Sequence, residues 1–291
     1  MQPFPELMPF VRRVVLAQSG FSLFLYDTES GASADGPILL VHGLGDEADT
    51  WRHVLPSLVA QRRVLAVDLP GFGRSDKPDA PCSVPWYAGV LLDLLDTLRI
   101  ERVILVGHSL GAIVSHWLAL EHPARVERLV LLGGGLVAGK QKLDIATLLL
   151  LAPGLGEWLY ARLRTDPQAA YDSLRPFYAD LDALPQSDRD FLYARVNERV
   201  QSNDQRRAFL RTLRGLVRWL PGQQKMLATR LPAIETPTTI LWGELDRVAT
   251  VENGRALAAI QPSARMTVIP GAGHNLQQER PEAIIAALST P

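Results

Sequence analysis

One cysteine, Cys82, is all that 291 residues supply, so neither an intrachain disulfide nor a thiolate metal cluster can form. Charge of one sign is equally scarce. Thirty basic against 31 acidic side chains leave a formal net charge of −1, with no long-range field to gather nucleic acid or an anionic membrane. Long apolar runs are missing too: the leucine-rich TLLLLAP at 147–153 falls far short of the roughly 20 residues that cross a bilayer. The opening MQPFPELMPFVRRVVL has prolines and a glutamate where a secretory leader needs a basic segment and then an unbroken apolar one. These absences lead us to expect a cytoplasmic protein, or a mature form whose leader has been removed. Its expected partner is a small, largely uncharged molecule, with no nucleic acid, no membrane, no metal and no organic cofactor.

What is present fills a large core, since 47% of residues are hydrophobic. The length suits one core with an inserted subdomain. The segments VRRVVLA and FSLFLYD alternate around Ser19-Gly20 as two strands of a hairpin do. Short unbroken apolar runs follow: PILLVHG, RRVLAVDLP, RVILVGHS and RLVLLGG. They lack a polar face, as parallel strands covered on both sides do. Helical patterns lie between them at 50–60, 84–98 and 112–121, and this alternation predicts a doubly wound sheet with ligands at the carboxyl ends of its strands. It pauses at Gly135 and resumes with PTTILWGELD, a helix at 251–260, the strand RMTVIPG and a last helix at 281–288. The expected architecture is therefore an α/β protein with a mostly parallel eight-stranded sheet. Its core domain comprises 1–135 and 229–291, and a leucine-rich helical cap is inserted at 136–228.

The stretch LVGHSLGAIV at 105–114 places Ser109 between Gly107 and Gly111, directly between a strand and a helix. A G-x-S-x-G in that setting is a nucleophile elbow, in which the glycines make room for an exposed serine hydroxyl. The plainer reading is a tight turn with an incidental serine. An alcohol nucleophile needs a base, and His274, in the glycine-rich PGAGHNLQQERPE after the last strand, sits at the same predicted sheet edge. His42, His108 and His122 lie beside Gly or Pro in turns, and His53 and His116 fall in helical patterns. For the carboxylate that orients the base, LWGELDRV offers Asp246, with Glu244 as the runner-up. The preceding strand ends in Gly133-Gly134-Gly135 and has no acid. Asp68 and Asp76 follow an earlier strand.

In order and spacing, HGLGDEADTW, DLPGFGRSDKP, GHSLG, WGELDRV and GAGH resemble the α/β-hydrolase superfamily, in particular its capped carboxylesterase-like branch. The resemblance runs through nearly the whole chain and is weakest in the cap. It implies that the backbone amides of Leu44 and Leu110 form an oxyanion hole and that Ser109, Asp246 and His274 form a catalytic triad. His42, Gly43, Gly71 and Gly73 then serve as scaffolding.

A serine nucleophile suits acyl transfer, whereas the superfamily's dehalogenases and epoxide hydrolases use aspartate. The expected activity is hydrolysis of small, mainly apolar carboxylic esters of short or medium acyl chain through an acyl-enzyme. Relatives that cleave carbon–carbon bonds usually carry tryptophan after the histidine and asparagine near the oxyanion loop. Asn275 and the loop Leu44-Gly45-Asp46 depart from that pattern. The same motifs are also compatible with an amide or peptide hydrolase and with a non-catalytic ligand-binding relative. The cap aromatics, among them Trp158, Tyr160, Phe177, Tyr178 and Trp219, are expected to pack the cap and to give the site an apolar lid. Lys140, Lys142, Arg162, Arg164, Arg206 and Arg207 are read as a solvated face. The acids Asp144, Glu157 and Asp166 are those an aminopeptidase-like site would draw on.

Overall fold

The computed structural model describes residues 1–29, 36–137 and 145–289. Lys140, Lys142 and Asp144 lie outside the described residues. Eight strands, β1 (Val11–Val15), β2 (Ser22–Asp27), β3 (Ile38–Val41), β4 (Val64–Val67), β5 (Val103–His108), β6 (Val126–Leu132), β7 (Thr238–Gly243) and β8 (Ala264–Ile269), form one sheet in the order β1-β2-β4-β3-β5-β6-β7-β8. The first two pair antiparallel to each other and β2 pairs antiparallel to β4, while all pairings from β4 through β8 are parallel. The apolar runs become strands because burial on both faces demands aliphatic side chains without alternation: every residue of β3, β4 and β5 is buried.

The helices are α1 (Leu55–Leu58), α2 (Val84–Thr97), α3 (Leu110–Glu121), α4 (Ile145–Leu151), α5 (Leu155–Arg162), α6 (Pro167–Asp172), α7 (Gln186–Gln201), α8 (Asn203–Gly222), α9 (Gln224–Arg230), α10 (Val251–Ile260), α11 (Leu276–Glu279) and α12 (Pro281–Ser289). One apolar core packs α2, α3 and α10 on one sheet face, and a second packs α1, α11 and α12 on the other. A third, separate cluster belongs to the segment between β6 and β7 and is built from Ala170, Tyr171, Tyr178, Leu181, Leu192, Val196 and Val200. The sequence pattern predicts one helix over 50–60, but the chain instead forms a 3₁₀ turn at Ala48–Trp51 and the single turn α1. Pro56 has no amide with which to continue a helix from Arg52, and Asp49 and Trp51 of the turn are fully buried, which fixes it in the core. Among the described residues no helix is long and apolar enough to cross a membrane.

Candidate active site

Ser109 follows β5 with φ 52° and ψ −112°, a backbone state that side-chain-bearing residues rarely adopt and that typically costs on the order of 1–3 kcal/mol. The turn is that tight because its flanks touch. A Cβ on Gly107 would lie 2.4 Å from the Gly111 carbonyl oxygen, and one on Gly111 would lie 2.2 Å from that of Val41. No side chain fits at either place, so the two glycines are required by close approach. The helix α3 begins at the next residue, so its free amides and positive dipole end face the serine.

His274 and Asp246 come from the ends of the last two strands. The imidazole Nδ1 lies 2.7 Å from Asp246 Oδ2, and both groups are buried. A carboxylate only accepts, so Nδ1 carries a proton, and in the neutral imidazole Nε2 is then the nitrogen with the lone pair. Among the described residues Nε2 has no hydrogen-bond partner. The other Asp246 oxygen accepts the Val248 and Ala249 amides, each at 2.9 Å, which locks the carboxylate's orientation.

Two consecutive glycines at the end of β6 join this pair to the serine. A Cβ on Gly133 would stand 3.1 Å from His274 Nδ1 and 3.4 Å from Asp246 Oδ2, and one on Gly134 would stand 2.9 Å from the Ser109 Cα. The imidazole and the carboxylate therefore lie against Gly133 and the serine backbone against Gly134, consecutive residues at the carboxyl edge of the sheet. Glu244, the runner-up acid, instead accepts the Gly271 amide at 3.0 Å. Asp68 is buried beneath Arg74, and Asp76 accepts the Ser22 amide. Neither is paired with a histidine.

His108 has a role the sequence did not reveal. Its ring lies 4.8 Å from that of His274, and its Nε2 is 3.1 Å from the His274 carbonyl oxygen, which can only accept. Burial, reinforced by the neighbouring His274, pushes its pKa down to about 3. It is thus a neutral donor that holds the His274 loop against the serine turn, with Gln277 Nε2 at 3.3 Å from its Nδ1. His42 is fixed by Gly43 and Leu69: its Nδ1 lies 2.7 Å from the Gly43 carbonyl oxygen and its Nε2 accepts the Leu69 amide at 2.9 Å. His116 accepts the Leu136 amide, and His53 reaches Asp188 at 2.8 Å.

Leu44 lies in the loop after β3, and Leu110 is the first residue of α3, whose amide is among those that a helix leaves without an intrahelical partner. Gly45, at φ +77°, lets the Phe209 ring approach; a Cβ there would sit 3.0 Å from it. The helical insertion also contacts the histidine loop through its main chain, since the Phe177 carbonyl oxygen accepts the His274 and Asn275 amides at 3.1 and 3.0 Å. Glu279 accepts both the Gly273 and Ala179 amides.

Ionic contacts complete the junction. Arg199 of α7 pairs with Asp46 and, through Nε at 2.6 Å, with Glu47, both in the loop that carries Leu44. Arg195 pairs with Glu47 and Asp49, and Arg52 pairs with Asp188 of α7. None of these arginines stands out in the sequence, because a charged residue on a helix ordinarily reads as a solvated one. Of those that do, Arg207 is exposed and paired with Asp204, and Arg162 lies over the Trp158 ring.

Residues 36–281 match the family model described as alpha/beta hydrolase fold. A 2-hydroxy-6-oxononadienedioate/2-hydroxy-6-oxononatrienedioate hydrolase of Cupriavidus pinatubonensis is 32% identical over 279 residues, covering 93% of this chain and 91% of that protein. Among solved structures, the 2-hydroxy-6-oxo-6-phenylhexa-2,4-dienoate hydrolase of a Rhodococcus strain superposes with a TM-score of 0.78 at 22% identity, over 96% of both chains. A serine hydrolase of Cycloclasticus zankles does so with a TM-score of 0.76 at 23% identity, over 96% of this chain and 95% of its own.

Proposed function

Because the chain belongs to the α/β-hydrolase fold family, we propose that its hydrolase chemistry is that of a serine esterase working through Ser109, His274 and Asp246 on small neutral carboxylic esters. The observation that carries this reading is the imidazole of His274, whose Nδ1 is held by Asp246 while its Nε2 is buried and unpartnered beside the strained serine turn. Ser109 Oγ attacks the ester carbonyl as His274 Nε2 takes its proton, and Asp246 stabilises the imidazolium. The Leu44 and Leu110 amides receive the oxyanion. His274 then protonates the departing alcohol, and water repeats the sequence on the acyl-enzyme. Every proton passes through one nitrogen, and no step calls on a metal or cofactor.

The helical insertion, 136–228, serves as the cap. Phe177, 5.9 Å from the His274 ring, and Phe209 over Gly45 give the covering surface an apolar character. Arg52, Arg74, Arg195 and Arg199, gathered between α7 and the β3 loop, are all committed to buried or half-buried carboxylates, so this cluster has no unpaired cation to receive a substrate carboxylate.

The second reading is carbon–carbon bond hydrolysis, favoured by the name of the Cupriavidus relative. That name describes a dicarboxylate, which the committed arginines disfavour. The test is direct: saturation kinetics on p-nitrophenyl acetate and butyrate beside the 2-hydroxy-6-oxo dienedioate for which that relative is named. We expect kcat/KM at least roughly 10²-fold higher on the neutral esters. A preference for the dienedioate would replace the ester reading with the carbon–carbon one.

A further inference from the structure

Arg199 is one of the side chains, with Arg195 and Phe209, through which the helical insertion reaches the segment on which the proposed oxyanion hole depends. It projects from α7, and its guanidinium forks across two consecutive carboxylates, Asp46 and Glu47, with Nε and Nη2 at 2.6 and 2.7 Å from the two oxygens of Glu47. Glu47 is fully buried, and Arg199 and Asp46 are nearly so. These acids stand two and three residues after Leu44, and the Asp46 amide closes the turn by donating to the Gly43 carbonyl oxygen at 3.3 Å. Arg199 therefore holds both ends of a short lever: the acids that follow the Gly43–Asp46 turn and the insertion that supplies the arginine.

The electrostatics make this hold specific. Two adjacent buried carboxylates repel each other, and a single point charge satisfies only one of them well, whereas a planar guanidinium meets both in fixed geometry. Without it the pair has reason to separate, and the turn between Gly43 and Asp46 is what would give. Arg195, one helical turn earlier, binds Glu47 from its other side together with Asp49 but does not touch Asp46. Among the described cationic side chains the ion pair to Asp46 thus comes from Arg199, with the Thr50 hydroxyl as a further partner of that carboxylate.

We propose that Arg199 is a positioning residue for the oxyanion hole, so that docking of the insertion, rather than the core alone, sets the Leu44 amide where the developing negative charge appears. The proposal rests on the assignment of Leu44 as an oxyanion donor. It makes the site complete only when α7 is seated: releasing the Arg199 contact frees the Asp46–Glu47 segment and weakens one of the two amides that stabilise the transition state, while the His274 loop keeps its separate hold on the insertion through Phe177. An oxyanion-hole donor is worth on the order of 10²–10³ in turnover, which bounds the effect.

The test compares Arg199→Gln, Arg199→Lys and Asp46→Asn on p-nitrophenyl butyrate, measured well below each variant's thermal midpoint, together with the rate at which a fluorophosphonate labels Ser109. Arg199→Gln should lower kcat roughly 30- to 300-fold with KM changed less than about threefold, and slow phosphonylation in proportion, because that reagent also passes through a charged transition state. Arg199→Lys should restore at least about tenfold of the loss. Should Arg199→Gln not fold, Asp46→Asn, which keeps the Glu47 pair, should still lower kcat about tenfold at unchanged KM. A loss confined to KM or to the thermal midpoint, with labelling at the wild-type rate, would overturn the positioning role while leaving the serine mechanism standing. A wild-type protein that neither turns over ester nor is labelled at Ser109 would remove both.

Discussion

At the scale of single residues, the site is a set of atoms whose roles follow from what each can donate or accept. Ser109→Ala and His274→Ala should each abolish ester turnover while far-ultraviolet circular dichroism stays unchanged. Asp246→Asn puts an amide where Nδ1–H needs an acceptor and favours the wrong tautomer, which cost about 10⁴ in kcat in the protease precedent. Glu244→Gln, by contrast, should change kcat less than about threefold, since that carboxylate only holds Gly271. Gly134→Ala offers a sharper probe, because the new methyl would lie 2.5 Å from the Ser109 carbonyl oxygen. It should cost at least roughly 10² in kcat/KM without touching any polar side-chain group of the proposed triad. Of these residues, Ser109, His274 and Asp246 are expected from the sequence because each sits in a short motif at a strand end, and the structure brings His274 and Asp246 into contact. The clearance supplied by Gly133 and Gly134 is not legible there, since three glycines in a row read equally well as a loop.

At the scale of elements, apolar runs and glycine-flanked turns were easily read, so β3 to β8 and α2, α3, α10 and α12 lie within a few residues of their expected positions. The docking of α7 could not be foreseen in the same way. This helix carries Asp188, Arg195 and Arg199 beside the apolar stripe Leu192, Val196 and Val200, so a hydrophobic-face argument detects packing within the insertion but not the ionic docking. The partners that give these charges meaning, Arg52, Asp49 and Glu47, are more than 130 residues away. Removing one member of a buried pair leaves the other uncompensated, at a cost of about 3–5 kcal/mol. Arg195→Met should destabilise the protein in urea unfolding by less than that amount, because Asp49 keeps Arg74 and Glu47 keeps Arg199. The double variant with Asp49→Asn should recover part of the loss, which a simple sum of the two would not.

At the scale of the molecule, buried imidazoles tie stability to pH. Burial holds His108 at about 3 and His116 at about 4, and it lowers His42 as well. Each is neutral when folded and takes up a proton on unfolding below the ordinary histidine value. The unfolded chain therefore binds more protons between about pH 6.5 and 4, and stability must fall as pH falls. Two such imidazoles correspond to about 2.7 kcal/mol per pH unit near pH 5, so urea midpoints measured from pH 7 to 4.5 should drop steadily, and a flat profile would contradict the burial of these rings. The near-zero net charge and the committed arginines make a further claim on the whole molecule: turnover of neutral esters should change less than about twofold between roughly 0.05 and 0.5 M salt, because no steering field is present to be screened.

The serine mechanism stands most directly on a covalent bond to one oxygen. Acid-quenching the protein during the first turnovers of p-nitrophenyl butyrate, followed by peptide mass spectrometry, should show a butyryl group on Ser109 of the wild type, an accumulated adduct on slowing deacylation, and none in Ser109→Ala. Ester turnover without any acyl adduct, or an adduct on another residue with Ser109→Ala still active, would contradict it.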